Sequence, residues 1–109
     1  MKKLLIFTMG FFVAGAITAK AADVTENWTK HCASCHGKDG KGATKAGKKA
    51  EVKDLTDAKY QASFTDEQAI KQIKEGMKQD GKERMKPFAD KLNDGEIKAL
   101  VAFLRGLKK

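Results

Sequence analysis

The sequence is short of the features that usually hold a small domain together. Its 109 residues include two cysteines, one proline (Pro87) and only 7% aromatic side chains. Two cysteines cannot build the framework of a disulfide-dense mini-protein, and so little proline excludes a collagen-like repeat. Acidic residues are the minority, 14 Asp and Glu against 22 Lys and Arg, which leaves a formal charge of +8. The one long hydrophobic run, residues 4–17, falls short of the ~20 residues a spanning helix needs, so a polytopic membrane protein is excluded. Alternating β-branched residues are missing too. The apolar periodicity that remains is helical and predicts a single all-α domain.

The hydrophobic run has the form of a leader. Lys2 and Lys3 supply a positive start, Leu4–Ile17 an apolar stretch broken by Gly10 and Gly15, and Ala19-Lys20-Ala21 the small residues of a cleavage site. An uncleaved anchor is disfavoured by the shortness of the run. The sequence therefore predicts a secretory signal peptide over 1–21 and a mature chain over 22–109, exported to the periplasm. Loss of Lys2, Lys3 and Lys20 lowers the formal charge from +8 to +5.

Residues 22–109 hold only eighteen bulky apolar side chains. Domains of this size rarely stabilise themselves without a disulfide, a metal or another insert, so something apolar from outside the sequence is expected to complete the interior. Helix signals surround that gap. Asp23 with Glu26 marks a start before Trp28, for a helix running to about Ala33. Thr65 with Gln68 marks a second, with Ala69, Ile70, Ile73 and Met77 on its inner face and Gly76 near its end. Asn93 with Glu96 marks the third. There Leu92 and Ile97 are placed to form a hydrophobic staple, and Ile97, Leu100, Val101, Leu104 and Leu107 fall on one stripe. Between the first two helices the Gly- and Lys-rich segment 37–65 signals only a short helix near Asp57–Ala62.

Both cysteines lie in one pentapeptide, Cys32-Ala33-Ser34-Cys35-His36. Spacing of i, i+3 and i+4 puts Cys32, Cys35 and His36 on one side of a helical turn. Two thiols so placed can add across two vinyl groups on one porphyrin edge while the adjacent imidazole meets the iron, which is the c-type haem attachment signature. A thioredoxin-like site would need a strand before the helix, and none is evident. A structural zinc site wants four ligands, but the two Cys and two His all crowd into residues 31–36. A plain disulfide would leave His36 and the thin core unexplained. His36 is then the proximal ligand through Nε2, with Nδ1–H expected on a backbone carbonyl.

The second axial position decides between an open iron and an electron carrier. His31 shares the attachment turn and cannot reach the far side of the ring; it reads as solvent-facing. Met77 continues the helical face and reads as core. Met85 falls in a loop stiffened by Pro87, where a backbone can aim a thioether, and is the distal candidate.

These residues resemble the small class I c-type cytochromes of bacterial periplasms, over nearly the whole mature chain. Trp28 with Cys32, Cys35, His36 and Gly37 is similar to the family's opening motif. Gly76 followed by Met85-Lys86-Pro87-Phe88 is similar to its distal loop, with Lys86 where a proline is common. Leu100-Val101-Ala102-Phe103-Leu104 is similar to its closing helix. The resemblance implies a cytochrome c fold in which N- and C-terminal helices cross over a covalently bound haem. It also implies thioether bonds at Cys32 and Cys35, His36 proximal and Met85 distal. One departure is Val24, where the family often has a glycine that lets the helices cross closely.

The expected function is one-electron transfer between redox proteins by a monomeric, monohaem carrier that catalyses no bond chemistry. Six lysines within Gly37–Lys53 suit docking to acidic partner surfaces, although such a loop also serves as a solvated, solubilising segment. Export and scarce loop aromatics disfavour nucleic-acid binding. A haem-based ligand sensor or peroxidase-like protein with a labile distal site is the alternative. A thiol–disulfide oxidoreductase is a third, and it would require haem-free protein.

Overall fold

The computed structural model describes residues 24–109. The leader, its cleavage site and the Asp23 cap lie outside the described residues. The chain opens with helix α1 over 24–36, whose middle, Trp28–Cys32, is wound as a wide π turn closed by Ala33 N–H on Trp28 O. Its last turn, Ala33–His36, is regular and ends at Gly37, φ 80°. Single π turns of this kind often sit at functional sites, because they shift the phase of the residues that follow.

The segment after α1 is more ordered than its composition suggests. Thr44 caps a helix α2, Lys45–Ala50, by accepting from Gly47 N–H at 2.8 Å. Asp57 caps the short helix α3, Ala58–Gln61, where the sequence places it. Helix α4 spans Asp66–Glu75 and has the expected capping box: Thr65 Oγ1 accepts from Gln68 N–H, and Gln68 Oε1 accepts from Thr65 N–H. Helix α5, Asp94–Arg105, has the same device in Asn93 and Glu96.

The all-α expectation needs correction. A two-stranded antiparallel sheet, β1 over Met77–Gln79 and β2 over Lys82–Met85, follows α4. Gly76, at φ 75° and ψ −172°, stops the helix, so Met77 leaves the helical face and begins a strand instead. Asp80 and Gly81 both take positive φ, 54° and 73°, as a tight two-residue hairpin turn of the I′ kind requires. Met77 pairs with Met85 and Lys78 with Glu83, which leaves Arg84 as an extra residue on β2. Such a bulge bends its strand and re-aims the neighbouring side chain, here Met85. Met85 therefore ends a strand rather than sitting in open loop.

The core is built on α5. Ile97, Leu100, Val101 and Leu104 are buried, as their stripe predicts, together with Trp28, Leu55, Ile73, Phe88 and Leu92. Helices α1 and α5 meet through Trp28, whose ring lies 5.1 Å from that of Phe103, and through Asn27 Nδ2, which donates to Glu96 Oε2 at 3.0 Å. Val24 is half-buried against the same core. Among the described residues no helix is long and apolar enough to cross a membrane.

Candidate functional site

Beneath α5 lies an apolar cavity, partly open to solvent. Its walls come from distant parts of the chain: Trp28, Cys32 and His36 from α1, Leu55 and Tyr60 from the middle segment, Gln72 and Ile73 from α4, Met85 from β2, and Leu100 and Leu104 from α5.

The attachment turn is held by hydrogen bonds to its carbonyls. Thr44 Oγ1 donates to Cys35 O at 2.7 Å, Gly42 N–H to His36 O at 2.8 Å, and Trp28 Nε1 to Gly37 O at 3.1 Å. Helix α2 presses so closely here that a Cβ on Gly47 would collide with Cys35 O, which is why a glycine stands inside that short helix. The Trp28 ring also leans on the His36 imidazole, 5.9 Å between centroids, and props it from the core side.

Both cysteines are free thiols. Cys32 is buried and lines the cavity, whereas Cys35 is half-buried on the same turn and is not one of the lining residues. Burial first, and the proximity of Cys35 second, push the Cys32 thiol up to about 11. A disulfide oxidoreductase needs the opposite, a thiolate stabilised near neutrality.

Burial pushes the His36 imidazole below its ordinary pKa, so the ring is neutral, the form that ligates a metal. Its Nδ1 is fully buried and has no hydrogen-bond partner. The expected bond from Nδ1–H to a carbonyl is therefore not made. An atom sealed from the cavity cannot meet what enters it, which leaves Nε2 as the available nitrogen.

Met85 lines the same cavity and Met77 does not, although the two are paired across the hairpin. The backbone of the Met85 segment is fixed against α4: Phe88 N–H donates to Ile73 O at 2.9 Å and Ala89 N–H to Lys74 O at 3.3 Å. Gly76 permits that contact, because a Cβ there would stand 2.5 Å from Met85 O and 2.9 Å from Pro87 N. His31 lies away from the cavity, half-buried and edge-on to Phe88 at 5.6 Å rather than facing solvent.

Three residues escaped the sequence. Gln61 is buried: its Nε2 donates to Leu55 O and Leu104 O, each at 2.7 Å, and its Oε1 accepts from Arg105 Nη1 at 2.9 Å. Arg105 also donates to Phe64 O at 2.7 Å and stacks on the Phe64 ring. This pair fastens the segment carrying Leu55, Tyr60 and Phe64 to α5. Gln72 donates from Nε2 to Met85 Sδ at 3.8 Å. No sequence motif distinguishes these polar residues from ordinary surface positions.

Two free thiols on one helical turn, with a neutral imidazole beside them at the edge of an apolar cavity, suit a covalently held haem. The protein class so described is the c-type cytochrome. Residues 19–104 match the family model described as cytochrome c oxidase, cbb3-type, subunit III, and the chain belongs to this family of c-type cytochrome domains. Among solved structures it is similar to the KustC0563 c-type cytochrome, at 40% identity and a TM-score of 0.68, covering 78% of this chain and 96% of that one. A tyrosine-to-phenylalanine variant of Kustc0563 matches at 41% identity and a TM-score of 0.69, covering 79% and 99%. No curated protein sequence gives a significant match. Membership of the family implies a covalently bound haem c and haem-based electron transfer.

Proposed function

We propose that this chain is an exported, monomeric, monohaem electron carrier of the periplasm, released from its leader after Ala21. Haem c would be held by thioether bonds at Cys32 and Cys35, with Nε2 of His36 and Sδ of Met85 as axial ligands. Each bond forms when a thiol S–H adds across a vinyl double bond, sulfur to one carbon and hydrogen to the other, with no net redox change. The haem supplies a ferric/ferrous couple that takes up and releases one electron.

The chain's own residues do the rest. Burial keeps His36 unprotonated and Trp28 fixes its ring. Leu55, Phe64, Ile73, Leu100 and Leu104 exclude water, and low polarity favours the less charged ferrous state. The soft Met85 thioether does the same. Lys38, Lys41, Lys45, Lys48, Lys49 and Lys53 are all exposed, and they suit brief, salt-sensitive docking to acidic surfaces of redox partners. The helices at the two ends would cross above the ring.

The observation that carries this proposal is that Cys32, His36 and Met85, drawn from two distant segments, line one apolar cavity. Replacement of Met85 tests it. The oxidised parent should show the weak near-infrared band of an iron–sulfur bond and should resist cyanide. Met85→Ala should lose the band and bind cyanide readily. Rapid cyanide or carbon monoxide binding by the parent would favour a ligand sensor or peroxidase-like protein instead.

A further inference from the structure

The chain has two arginines, Arg84 and Arg105, and the fold treats them differently. Arg105 uses all three of its nitrogens: Nε donates to Asp66, Nη1 to Gln61 and Nη2 to Phe64 O. Arg84 does not. Its side chain is only 14% exposed, and its Nε is sealed from solvent with no acceptor. Among the described residues its one ion pair runs from Nη2 to Glu51 Oε2 at 3.5 Å. Glu51 stands at the C-terminal end of α2 and is 69% exposed, so that pairing is long and screened. A guanidinium does not shed its charge, and a buried donor left unpaired is costly.

Arg84 immediately precedes Met85, which lines the cavity, and it is the extra residue of the β2 bulge. A bulge breaks the strict alternation of faces along a strand, so Arg84 is not forced to the face opposite Met85. Among the described residues the cavity wall offers neutral polar groups in Tyr60, Ser63, Gln68 and Gln72, but no lysine or arginine. A haem carries its carboxylates on the edge away from its vinyl groups, and this wall has no cation to meet them.

We infer that Arg84 binds a haem propionate: its Nε–H donates to that carboxylate while Nη2 keeps Glu51, so one guanidinium ties the polar edge of the haem to the Met85 strand and to the end of α2. This rests on a haem in the cavity, as proposed above, and does not depend on Met85 being the distal ligand. The guanidinium fork has donors enough for two carboxylates, and charge-assisted bonds of this kind are about twice as strong as neutral ones. A carboxylate entering from the cavity supplies the acceptor that Nε lacks and a nearer counter-charge than Glu51 provides. The clasp also joins elements that the backbone does not connect directly, because Glu51 belongs to the segment packed on the attachment turn and Arg84 to the hairpin.

The test uses holoprotein matured in a periplasm, as parent, Arg84→Gln, Arg84→Lys and Glu51→Gln. The first readout is the propionate bending mode in the resonance Raman spectrum, whose frequency rises with hydrogen bonding to the carboxylate; an arginine that serves only the fold would not move it. The mode should drop in Arg84→Gln, drop by less in Arg84→Lys, which keeps a charge but not the fork, and stay parental in Glu51→Gln. The second readout is the unfolding equilibrium constant in urea. It should rise about ten- to a hundred-fold in Arg84→Gln, the worth of a hydrogen bond to a charged group. In Glu51→Gln, which loses only an exposed ion pair, it should rise about five-fold at most. A mode unmoved in Arg84→Gln overturns the inference while the haem is still bound. Equal unfolding constants for Arg84→Gln and Glu51→Gln also overturn it, since Arg84 would then serve Glu51 alone. Should Arg84→Gln fail to mature, the mode in Arg84→Lys decides in the same way. A colourless parent removes the haem reading, and this inference with it.

Discussion

Replacing Gly76 by alanine separates two things glycine does here. The residue sits at φ 75° and ψ −172°, a region essentially reserved for glycine, where another residue costs about 1–3 kcal/mol. An alanine Cβ would also stand 2.5 Å from Met85 O, 2.9 Å from Pro87 N and 3.0 Å from Lys86 C. These are backbone atoms that cannot swing aside, and relieving such overpacking costs about 1–3 kcal/mol more. The total is about 2–6 kcal/mol, and the strain falls on the segment that carries Met85. Gly81 provides the control. Its φ is 73°, but nothing lies within 4 Å of a Cβ there, so Gly81→Ala carries only the backbone cost of about 1–2 kcal/mol. For a domain this small each kcal/mol moves Tm by ~4–8 °C. Gly76→Ala holoprotein should therefore melt at least about 8 °C below the parent, and well below Gly81→Ala. It should also bind cyanide faster and lose near-infrared intensity, whereas Gly81→Ala keeps both parental properties. Equal melting of the two variants with equal cyanide resistance would refute the close contact between α4 and the Met85 backbone.

Two further outcomes follow from the polar contacts. Gln61→Leu strips partners from Leu55 O, Leu104 O and Arg105 Nη1 inside the core; about 2–4 kcal/mol should be lost, visible as a lower guanidinium midpoint. Glu96 is held below its ordinary pKa first by the Asn93 backbone N–H and then by the Asn27 amide. A depressed carboxylate adds stability above its unfolded pKa and loses it as pH falls through the folded one. Glu96→Gln should therefore flatten the acid limb of a urea-midpoint profile from about pH 7 to about pH 3, while an unaltered limb would remove Glu96 from the acid response.

Much of the architecture was legible because it is encoded locally. The Asn93/Glu96 and Thr65/Gln68 boxes form as their spacing says, and the stripe from Ile97 to Leu104 is buried. Cys32 and His36 line one cavity, as the spacing of their pentapeptide suggests, while Cys35 stays on the same turn outside its lining. The hairpin was missed although Asp80-Gly81 carries its turn signal, because Met77 also fits the helical period of α4 and only the backbone of Gly76 decides between them. Helix α2 is likewise invisible, since its lysines carry no apolar stripe and its placement depends on Thr44 reaching Cys35 O. Gln61, Arg105 and Gln72 were hidden for a different reason. Their partners lie far along the chain or across the cavity, and no periodicity records a long-range hydrogen bond.

The most direct test of the whole account is the intact mass of protein secreted by a host competent in haem ligation, taken under denaturing conditions after extraction with acidified acetone. Covalent attachment through Cys32 and Cys35 predicts one red species, the chain from residue 22 carrying the added mass of a single haem. A colourless, folded protein at the bare polypeptide mass would contradict it.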